Sequence, residues 1–428
     1  MWGVLLLLSA VVPKVFVPVE GTTAFNCRNS LISDEWRQYV LDEVNAYRRS
    51  LALGEVYDKT KKFLPMAKNM NELNWDCNLE EMAYKGTLGD CTVPAVNYFA
   101  PYQSMQAGIP KKDCNITSQT KRLLYIWWKE IKNDTVKYVN NGEPSIPKAP
   151  QFTLMGTAAT TGFGCTYDFC NKKNYWVMVC IFDDKTNVSV ANRVIYQPAA
   201  DLSQVCEACN KNCTEYLCPQ PHTPVFIPST CKVDNLSNDA GDTALWMHNY
   251  YRRLLASGWA KDPKAKSGYA PPAKHMKKLE YDCPSTGTNV AAETYNAIKS
   301  CPPADPNATP GYSMNFLRIN NYNFSQQDAL KQAIKKWWGE LGEKGLGDDT
   351  TFHDNSGIKS FANMAYDQAD KFACAVQNCQ QSGQTLVACQ YNAVIHADDK
   401  IYETGKVCSG CRRLKPTRKC SHPAGLCE

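Results

Sequence analysis

The hydrophobic and polar positions near the start of the chain recur with the period of a helix. The apolar residues fall three or four positions apart, at Trp36, Val40, Val44, Tyr47 and Leu51. This spacing gathers them on one face of an amphipathic helix, and Ser33 lies where an N-cap residue would begin it. The pattern predicts an early helix whose apolar face packs inward.

Two later helices are predicted to begin at Ser118 and Ser325, each of which precedes an apolar-periodic stretch. Each stretch contains the sequence Trp-Trp-x-Glu, and its glutamate, Glu130 or Glu340, follows the first tryptophan by three residues. On a helix that spacing points the carboxylate along the same face as the indole. Runs rich in β-branched and aromatic residues follow, at 175–182 and 385–391. Helices that bracket a small antiparallel sheet fit this order.

The same landmarks occur twice in the same order, which predicts two tandem copies of one domain. The matched segments are 67–77 with 273–283, 127–130 with 337–340, 165–180 with 374–389, and 206–209 with 408–411. Between the copies lies a stretch rich in cysteine and proline, which is typical of a stiff linker. We therefore divide the chain into a leader, a first domain, a hinge, a second domain and a cysteine-rich basic tail. These occupy residues 1–21, 22–205, 206–230, 231–405 and 406–428.

Several features of the chain indicate export. An apolar run at the N-terminus, too short to cross a bilayer, is typical of a signal peptide, which we place at residues 1–21. The 21 cysteines are a number usual where disulfides persist, and an odd total leaves one thiol unpaired or intermolecular. We predict a secreted, extracellular glycoprotein that is not embedded in a membrane. The candidate glycosylation sites are Asn115, Asn133, Asn187, Asn212, Asn235, Asn307 and Asn323.

Charge is spread thinly along the chain, with a net value of +5 over 428 residues. Neither half is basic enough to indicate nucleic acid as a partner. One basic cluster lies near the C-terminus, and it consists of Arg412, Arg413, Lys415, Arg418 and Lys419. We interpret this cluster either as a solvated tail or as a patch that binds sulfated glycans or anionic cell surfaces.

Few residues are suited to catalysis or metal binding. Residues 21–205 contain no histidine, so histidine-ligated metal and histidine base chemistry are not expected in the first copy. His248 takes the position of Val44 on the apolar helix face, where a packed, hydrogen-bonded ring is expected. The Cys-x-x-Cys pairs lack the βαβ context of a redox site, so we interpret them as structural disulfides with partners left open. No metal or cofactor is predicted.

The segments QFTLMGT at 151–157 and SFANMAY at 360–366 resemble a signature strand of the CAP superfamily, also called the SCP/TAPS domain. The helix sequence 248–252, and in part 45–48, is similar to that family's His-Asn-x-x-Arg signature. The double arrangement resembles the two-domain activation-associated secreted proteins of parasitic nematodes. This resemblance implies an α+β fold in which each copy is an α-β-α sandwich with a small antiparallel sheet between helices.

Many members of that family line a groove between sheet and helices with two histidines and two glutamates. This chain departs from the pattern, since both copies lack the histidines and one of the glutamates. The groove candidates are the remaining Glu130 and Glu340, and Gln151 and Ser360 at the position of the family's strand histidine. The others are Asn97 and Asn315, from the segments that match the family's Gly-Glu-Asn without its glutamate, and the loop histidine His353. A carboxylate without a partner to take or orient a proton is a poor general base, so we assign no catalytic residue.

We predict a non-enzymatic secreted binding protein whose partners are host or other extracellular proteins, or lipids held in a groove. The resemblance implies a role in host–parasite interaction, such as immune modulation. One alternative is a secreted hydrolase or protease that uses Glu130 or Glu340. Another is a sterol or lipid carrier, which would require a long apolar groove.

Overall fold

The structure is a computed structural model. It describes residues 25–29, 31–87, 103–109, 115–140, 142–170, 175–183, 193–227, 229–287, 289–421 and 424–428. The segment expected to be a signal peptide lies outside these residues, as do Asn97 and Asn187. Among the described helices, none is both long and apolar enough to cross a bilayer.

In the described part of the first copy, each α-helix is followed by one to three strands. The helices are α1 (Asp34–Ala52), α2 (Cys77–Thr87), α3 (Ile116–Trp128) and α4 (Pro150–Gly156). The strands are β1 (Met66–Ala67), β2 (Asn74–Trp75), β3 (Gln103–Ile109), β4 (Lys137–Val139), β5 (Glu143–Ser145), β6 (Gly162–Cys170), β7 (Tyr175–Phe182) and β8 (Pro198–Ala199).

The second copy repeats the main elements in the same order. Its helices are α5 (Asn238–Ala256), α6 (Val290–Ile298), α7 (Gln326–Lys344) and α8 (Lys359–Ala365). Its strands are β9 (Glu280–Tyr281), β10 (Ser313–Ile319), β11 (Lys371–Cys379) and β12 (Gln384–Tyr391).

A four-stranded sheet forms the middle layer of each copy. The strand order is β2-β6-β7-β3 in the first copy and β9-β11-β12-β10 in the second. Three strands of each sheet are antiparallel, whereas the short edge strand, β2 or β9, pairs in parallel. The expected α+β class, with helices around a small sheet, is confirmed.

Strand β7 illustrates why the sheet is covered on both faces. Its side chains alternate between the two faces, and both sets are apolar. Met178 and Phe182 belong to the core that also contains side chains of α1 and α3. Val177 and Val179 pack on the other side against Leu79 of α2. The continuous apolar run at 175–182 therefore marks a strand buried between two helical layers.

The segments 151–157 and 360–366, expected as strands from the resemblance, coincide instead with the short helices α4 and α8. Pro150 occupies the first position of α4, where its fixed φ and missing amide suit the start of a helix. Phe152 and Met155, three positions apart, are both fully buried. Helical spacing therefore accounts for the apolar residues of this segment.

Side-chain caps define where the longer helices begin. Ser33 and Ser325 accept backbone amide hydrogens as N-caps of α1 and α7, as predicted. Helix α3 begins earlier than predicted, because Asn115 is its cap and accepts the amide hydrogen of Ser118 at 3.0 Å. Beyond Trp128 the chain tightens into a 3-10 helix at Lys129–Asn133, which contains Glu130. Glu130 therefore lies just past the helix on which it was expected.

A fully buried arginine ties α1 to the end of α4. Arg48 donates hydrogen bonds to the carbonyl oxygens of Asn71, Met155, Thr157 and Ala158. Burial disfavours the charged guanidinium and lowers the pKa of Arg48 to about 9. Its bonds satisfy carbonyl groups that the end of a helix would otherwise leave without partners.

The second copy repeats this arrangement with Arg252 of α5. Its guanidinium donates to the carbonyl oxygens of Lys277, Met364, Tyr366 and Ala369. Burial lowers the pKa of Arg252 to about 10. The arginine of the His-Asn-x-x-Arg signature is therefore a structural crosslink between elements that are distant in sequence.

Disulfides account for 18 cysteines among the described side chains and supply the pairings that the sequence left open. They are Cys27–Cys77, Cys165–Cys180, Cys206–Cys213, Cys209–Cys218, Cys231–Cys283, Cys301–Cys379, Cys374–Cys389, Cys408–Cys420 and Cys411–Cys427. Both Cys-x-x-Cys sequences thus form structural crosslinks to more distant cysteines. The side chains of Cys91, Cys114 and Cys170 lie outside the described part, so the unpaired thiol stays a prediction.

The second copy contacts helix α2 of the first copy through polar and aromatic groups. The indole nitrogen of Trp246 donates to Glu81 at 2.8 Å, and its ring centroid lies 4.7 Å from that of Tyr84. Lys85 forms an ion pair with Asp242 at 2.9 Å. Burial, followed by the nearby Asp242 carboxylate, raises the pKa of Glu81.

Replacing the buried arginine should destabilise the protein far more than replacing its partly exposed neighbour, Arg49. We expect Arg48→Met to lower the free energy of unfolding by about 3 kcal/mol or more, because four carbonyl groups lose a donor. Arg49→Met is the matched control, since Arg49 forms a surface ion pair with Glu215 and should cost less than about 1 kcal/mol. Urea unfolding of both variants measures the difference. Equal destabilisation by the two changes would contradict the structural role of Arg48.

Candidate functional site

The groove glutamate of the first copy caps a helix. Oε2 of Glu130 accepts the amide hydrogens of Gln151 at 2.7 Å and Phe152 at 3.3 Å, at the N-terminus of α4. Half-burial raises the pKa of Glu130, and the two amide bonds oppose that rise. A carboxylate at this position satisfies helix donors that have no partner within the helix.

Glu340 performs the same task in the second copy. Its Oε2 accepts the amide hydrogen of Phe361 at 2.9 Å, and the hydroxyl and amide of Ser360 also bond to the carboxylate. Burial raises the pKa of Glu340, while these bonds lower it. Both glutamates thus hold the short helix that follows them in the fold.

His248 lies completely buried behind this helix in the second copy. Its Nδ1 is 2.7 Å from the carbonyl oxygen of Ala244, so Nδ1–H donates, and Nε2 accepts from the Tyr391 hydroxyl at 2.8 Å. Burial lowers the pKa of His248 to about 4, so the ring is neutral at physiological pH. The expectation of a packed, hydrogen-bonded histidine is confirmed.

A chain of hydrogen bonds leads from this histidine toward Glu340. Nδ2 of Asn315 donates to the Ser360 carbonyl at 2.8 Å and lies 3.4 Å from the Tyr391 hydroxyl. Nδ2 of Asn363 donates to Oδ1 of Asn315 at 2.9 Å. The structure therefore joins two groove candidates, Asn315 and Ser360, in a buried polar network beside Glu340.

The first copy has apolar residues in place of the four side chains that bond to one another in this network. The pairs are Val44 for His248, Met105 for Asn315, Leu154 for Asn363 and Phe182 for Tyr391. Strand register identifies Met105, which lies opposite Cys180 as Asn315 lies opposite Cys389. Asn97, taken from the sequence as the counterpart of Asn315, is outside the described residues, and the strand position belongs to Met105.

The two other groove candidates lie apart from the network. Gln151 is in the first turn of α4, where its Oε1 is buried without a hydrogen-bond partner in the described structure. His353 is 54% exposed, and its Nδ1 lies 3.2 Å from the exposed carboxylate of Asp398. Its position, next to the 3-10 helix Asp354–Ser356, is that of a loop histidine.

The hinge supplies a histidine to the first copy, which the sequence reasoning missed. Nε2 of His222 is 2.8 Å from Asp76, and Nδ1 is 3.1 Å from the Thr161 hydroxyl. The ring is almost fully buried and lies against Gly162, where a Cβ would overlap it. The lack of histidine in residues 21–205 therefore does not keep histidine out of this domain, because the hinge folds back onto it.

The cysteines of the hinge supply no free metal ligands. Among the described residues, Cys206, Cys209 and Cys218 have sulfur atoms close enough together to suggest a metal site. All three are engaged in the disulfides Cys206–Cys213 and Cys209–Cys218. Cysteine binds a metal ion as a thiolate, and a sulfur in a disulfide is not a thiolate. This cluster is therefore a structural crosslink.

The basic cluster and the described glycosylation sequons lie at the surface. Arg412, Arg413, Lys415 and Lys419 are exposed, whereas Arg418 is partly buried and pairs with Asp370 at 2.7 Å. Arg412 and Lys419 border a shallow cleft beside the Cys408–Cys420 disulfide. The sequon asparagines that the structure describes are all exposed, namely Asn115, Asn133, Asn212, Asn235, Asn307 and Asn323.

The fold and the sequence together define a family. The family model of the cysteine-rich secretory proteins, called CAP, matches residues 41–182 and again residues 245–391. The chain belongs to this family, with two domains of it in tandem.

One relative matches almost the whole chain, and another matches less than half of it. The chain is 30% identical over 440 aligned positions to Ancylostoma secreted protein of Ancylostoma caninum, with 94% of each chain covered. It is 27% identical over 180 residues to Hookworm platelet inhibitor 1 of the same organism, covering 42% of this chain and 76% of that protein. Among solved structures it is similar to Na-ASP-1, with 27% identity, a TM-score of 0.44, and 95% of this chain and all of that chain covered.

Buried His248 should make the second copy sensitive to acid. The folded-state pKa of about 4 lies below the unfolded value of about 6.5, so the stabilising contribution is complete above pH 6.5. It is lost as the pH falls toward 4, by about 3 kcal/mol in total. We expect His248→Val/Tyr391→Phe, which installs the pair found in the first copy, to remove this part of the pH dependence in urea unfolding.

His353→Gln is the matched control for the acid experiment, since it removes an exposed histidine. Its stability should follow that of the unmodified protein across the same pH range. An identical pH dependence in the His248→Val/Tyr391→Phe variant and the unmodified protein would show that His248 is not responsible.

Proposed function

We propose that the protein acts outside the cell as a non-enzymatic binding protein, with macromolecules of a host as its partners. The observation that carries this proposal is the use of both groove glutamates as helix caps. Glu130 and Glu340 each direct Oε2 at backbone amides of the next helix. Each glutamate therefore has a structural role through Oε2, and as a general base it would have to act through its other oxygen with a partner that takes or orients the proton.

Family membership supports the same proposal. Proteins of the cysteine-rich secretory family are generally non-enzymatic. The many disulfides suit an oxidising, extracellular compartment. One relative is named as a platelet inhibitor, and that name makes the surfaces of host blood cells a reasonable class of target. The exposed basic tail offers a second contact, to sulfated glycans on such surfaces.

A hydrolase is the alternative class, and one arrangement favours it. Thr161, His222 and Asp76 follow the order of nucleophile, base and orienting carboxylate. The side chain of His222 is only 4% exposed and is covered by Gly162, which leaves a substrate no approach to the ring. Asp76 also accepts the amide hydrogen of Val225, so the cluster fastens the hinge to the first copy.

The glutamates can be tested directly. We expect Glu130→Gln and Glu340→Gln, singly and together, to leave binding of labelled protein to leukocytes and extracellular matrix unchanged within a few-fold. Glutamine keeps an acceptor oxygen but loses the charge at the helix N-terminus, so each change should lower the free energy of unfolding by about 1 kcal/mol. Glu343→Gln, an exposed glutamate on the same helix as Glu340, is the control and should change neither quantity.

Hydrolysis assays decide between the two classes. A turnover by the unmodified protein that disappears in the double glutamine variant, with folding intact, would contradict the binding proposal. A turnover that instead depends on Thr161 and His222 would establish the alternative site. Solvent extraction of the purified protein tests whether it carries a lipid or sterol, as a carrier would.

A further inference from the structure

The segment that follows the first helix of each copy forms an exposed loop with the same chemistry. We name residues 57–63 the first lysine loop and residues 259–269 the second lysine loop. Each contains three lysines and two exposed aromatic residues. A buried aspartate, Asp58 or Asp262, organises the backbone of each loop.

In the first lysine loop the two exposed aromatic rings lie next to each other. Tyr57 and Phe63 face each other across an antiparallel bridge, and their ring centroids are 5.6 Å apart. Oδ1 of Asp58 accepts the amide hydrogens of Thr60 at 2.8 Å and Lys62 at 3.2 Å. Phe63 is 59% exposed. The loop is thus shaped by its backbone bonds, while its aromatic side chains are left in contact with water.

The second lysine loop also exposes two neighbouring aromatic rings, at different positions along the loop. Trp259 is 68% exposed, and its ring centroid lies 6.2 Å from that of Tyr269. Lys261 and Tyr269 form the antiparallel bridge, and Oδ1 of Asp262 accepts the amide hydrogen of Lys264 at 2.9 Å. The aromatic pairs of the two loops occupy different positions relative to the shared aspartate, yet both are exposed.

The outward charge of both loops is positive. The only carboxylate within either loop is the buried aspartate, and the lysines Lys59, Lys61, Lys62, Lys261, Lys264 and Lys266 are all exposed. Next to the first loop, Lys137, Tyr138 and Val139 of β4 are also exposed, and Nζ of Lys62 lies 5.0 Å from the Tyr138 ring. Next to the second loop, exposed Asp348 accepts the amide hydrogen of Lys266 at 3.3 Å. An exposed carboxylate, Glu55, also lies two residues before the first loop, so both loops present an excess of lysines with one exposed carboxylate nearby.

This combination matches the surface of an anionic bilayer. Tyrosine and tryptophan rings settle at the headgroup level of a membrane, where one part of the ring contacts acyl chains and another stays hydrated. Lysines beside them are attracted to anionic headgroups over about a Debye length. A sulfated glycan would use the lysines, whereas a ring without a polar group, such as Phe63, gains most from the apolar part of a bilayer.

We propose that the two lysine loops dock the protein reversibly onto anionic phospholipid bilayers, each inserting its exposed aromatic pair at the headgroup level. This inference goes beyond the proposed binding of host macromolecules and does not depend on the groove. It also differs in location from the basic tail. The segment 411–420, which contains Arg412, Arg413, Lys415, Arg418 and Lys419, has no aromatic residue.

Co-sedimentation of the full chain with lipid vesicles tests the proposal. We expect binding to phosphatidylcholine vesicles that contain about a third phosphatidylserine, little binding to phosphatidylcholine alone, and a loss of binding at high salt. Phe63→Ser and Trp259→Ser should each weaken the partition coefficient about twofold or more, and together abolish anionic binding. Phe226→Ser is the matched control, because Phe226 is 81% exposed but belongs to the hinge and has no lysine cluster.

A second pair of variants tests the charges without removing a ring. Lys61→Gln/Lys62→Gln should weaken anionic binding about twofold or more, whereas Lys335→Gln/Lys336→Gln, on the exposed face of α7, should not. Equal vesicle binding by all variants, or no binding by the unmodified protein, would overturn the proposal. Loss of heparin retention in the loop variants, with no vesicle binding by any protein, would identify a sulfated glycan as the occupant instead and would equally refute membrane docking.

Discussion

Each copy depends on a short helix that is stable only because both of its ends are held. Helices of seven residues, such as α4 and α8, form too few internal hydrogen bonds to be stable alone. In the first copy, Glu130 accepts from the amides at the N-terminus of α4, and buried Arg48 donates to the carbonyls at its C-terminus. Glu340 and Arg252 do the same for α8. These two side chains come from different elements, so they also fix the helix between α1 or α5 and the rest of the domain.

Once that frame is fixed, the space behind the short helix is filled in two different ways. In the second copy it holds a largely hydrogen-bonded set, whereas in the first copy it holds an apolar set. The two sets are His248, Asn315, Asn363 and Tyr391, and Val44, Met105, Leu154 and Phe182. A mixture of the two would leave buried donors or acceptors without partners, which costs more than either set alone. The two copies therefore differ by a concerted change at these positions.

Much of the fold could be predicted from the sequence, because some signals are local. The period from Trp36 to Leu51 and the β-prone run at 175–182 correspond to α1 and β7. The short helices could not be predicted in this way, since their ends are stabilised by Glu130 and Arg48 from elsewhere in the chain. The equivalence of Met105 and Asn315 requires strand register, which a search for similar sequence letters does not supply. The contact of His222 with Asp76 requires knowledge of where the hinge lies.

Binding specificity can reside in residues that are not needed to hold the fold together. The groove glutamates cap helices and the polar side chains of the second copy bond chiefly to one another, so these groups serve first to hold the fold together. The lysine loops are under a weaker constraint, because Asp58 and Asp262 shape them mainly through backbone amides, with one side-chain bond from the Thr60 hydroxyl to Asp58. Their residues can change without loss of the loop, and the two copies have in fact placed their aromatic residues differently. That both nevertheless expose an aromatic pair among lysines is unexplained by folding, since exposed rings contribute little to stability. A surface ligand that contacts both rings and positive charges explains it.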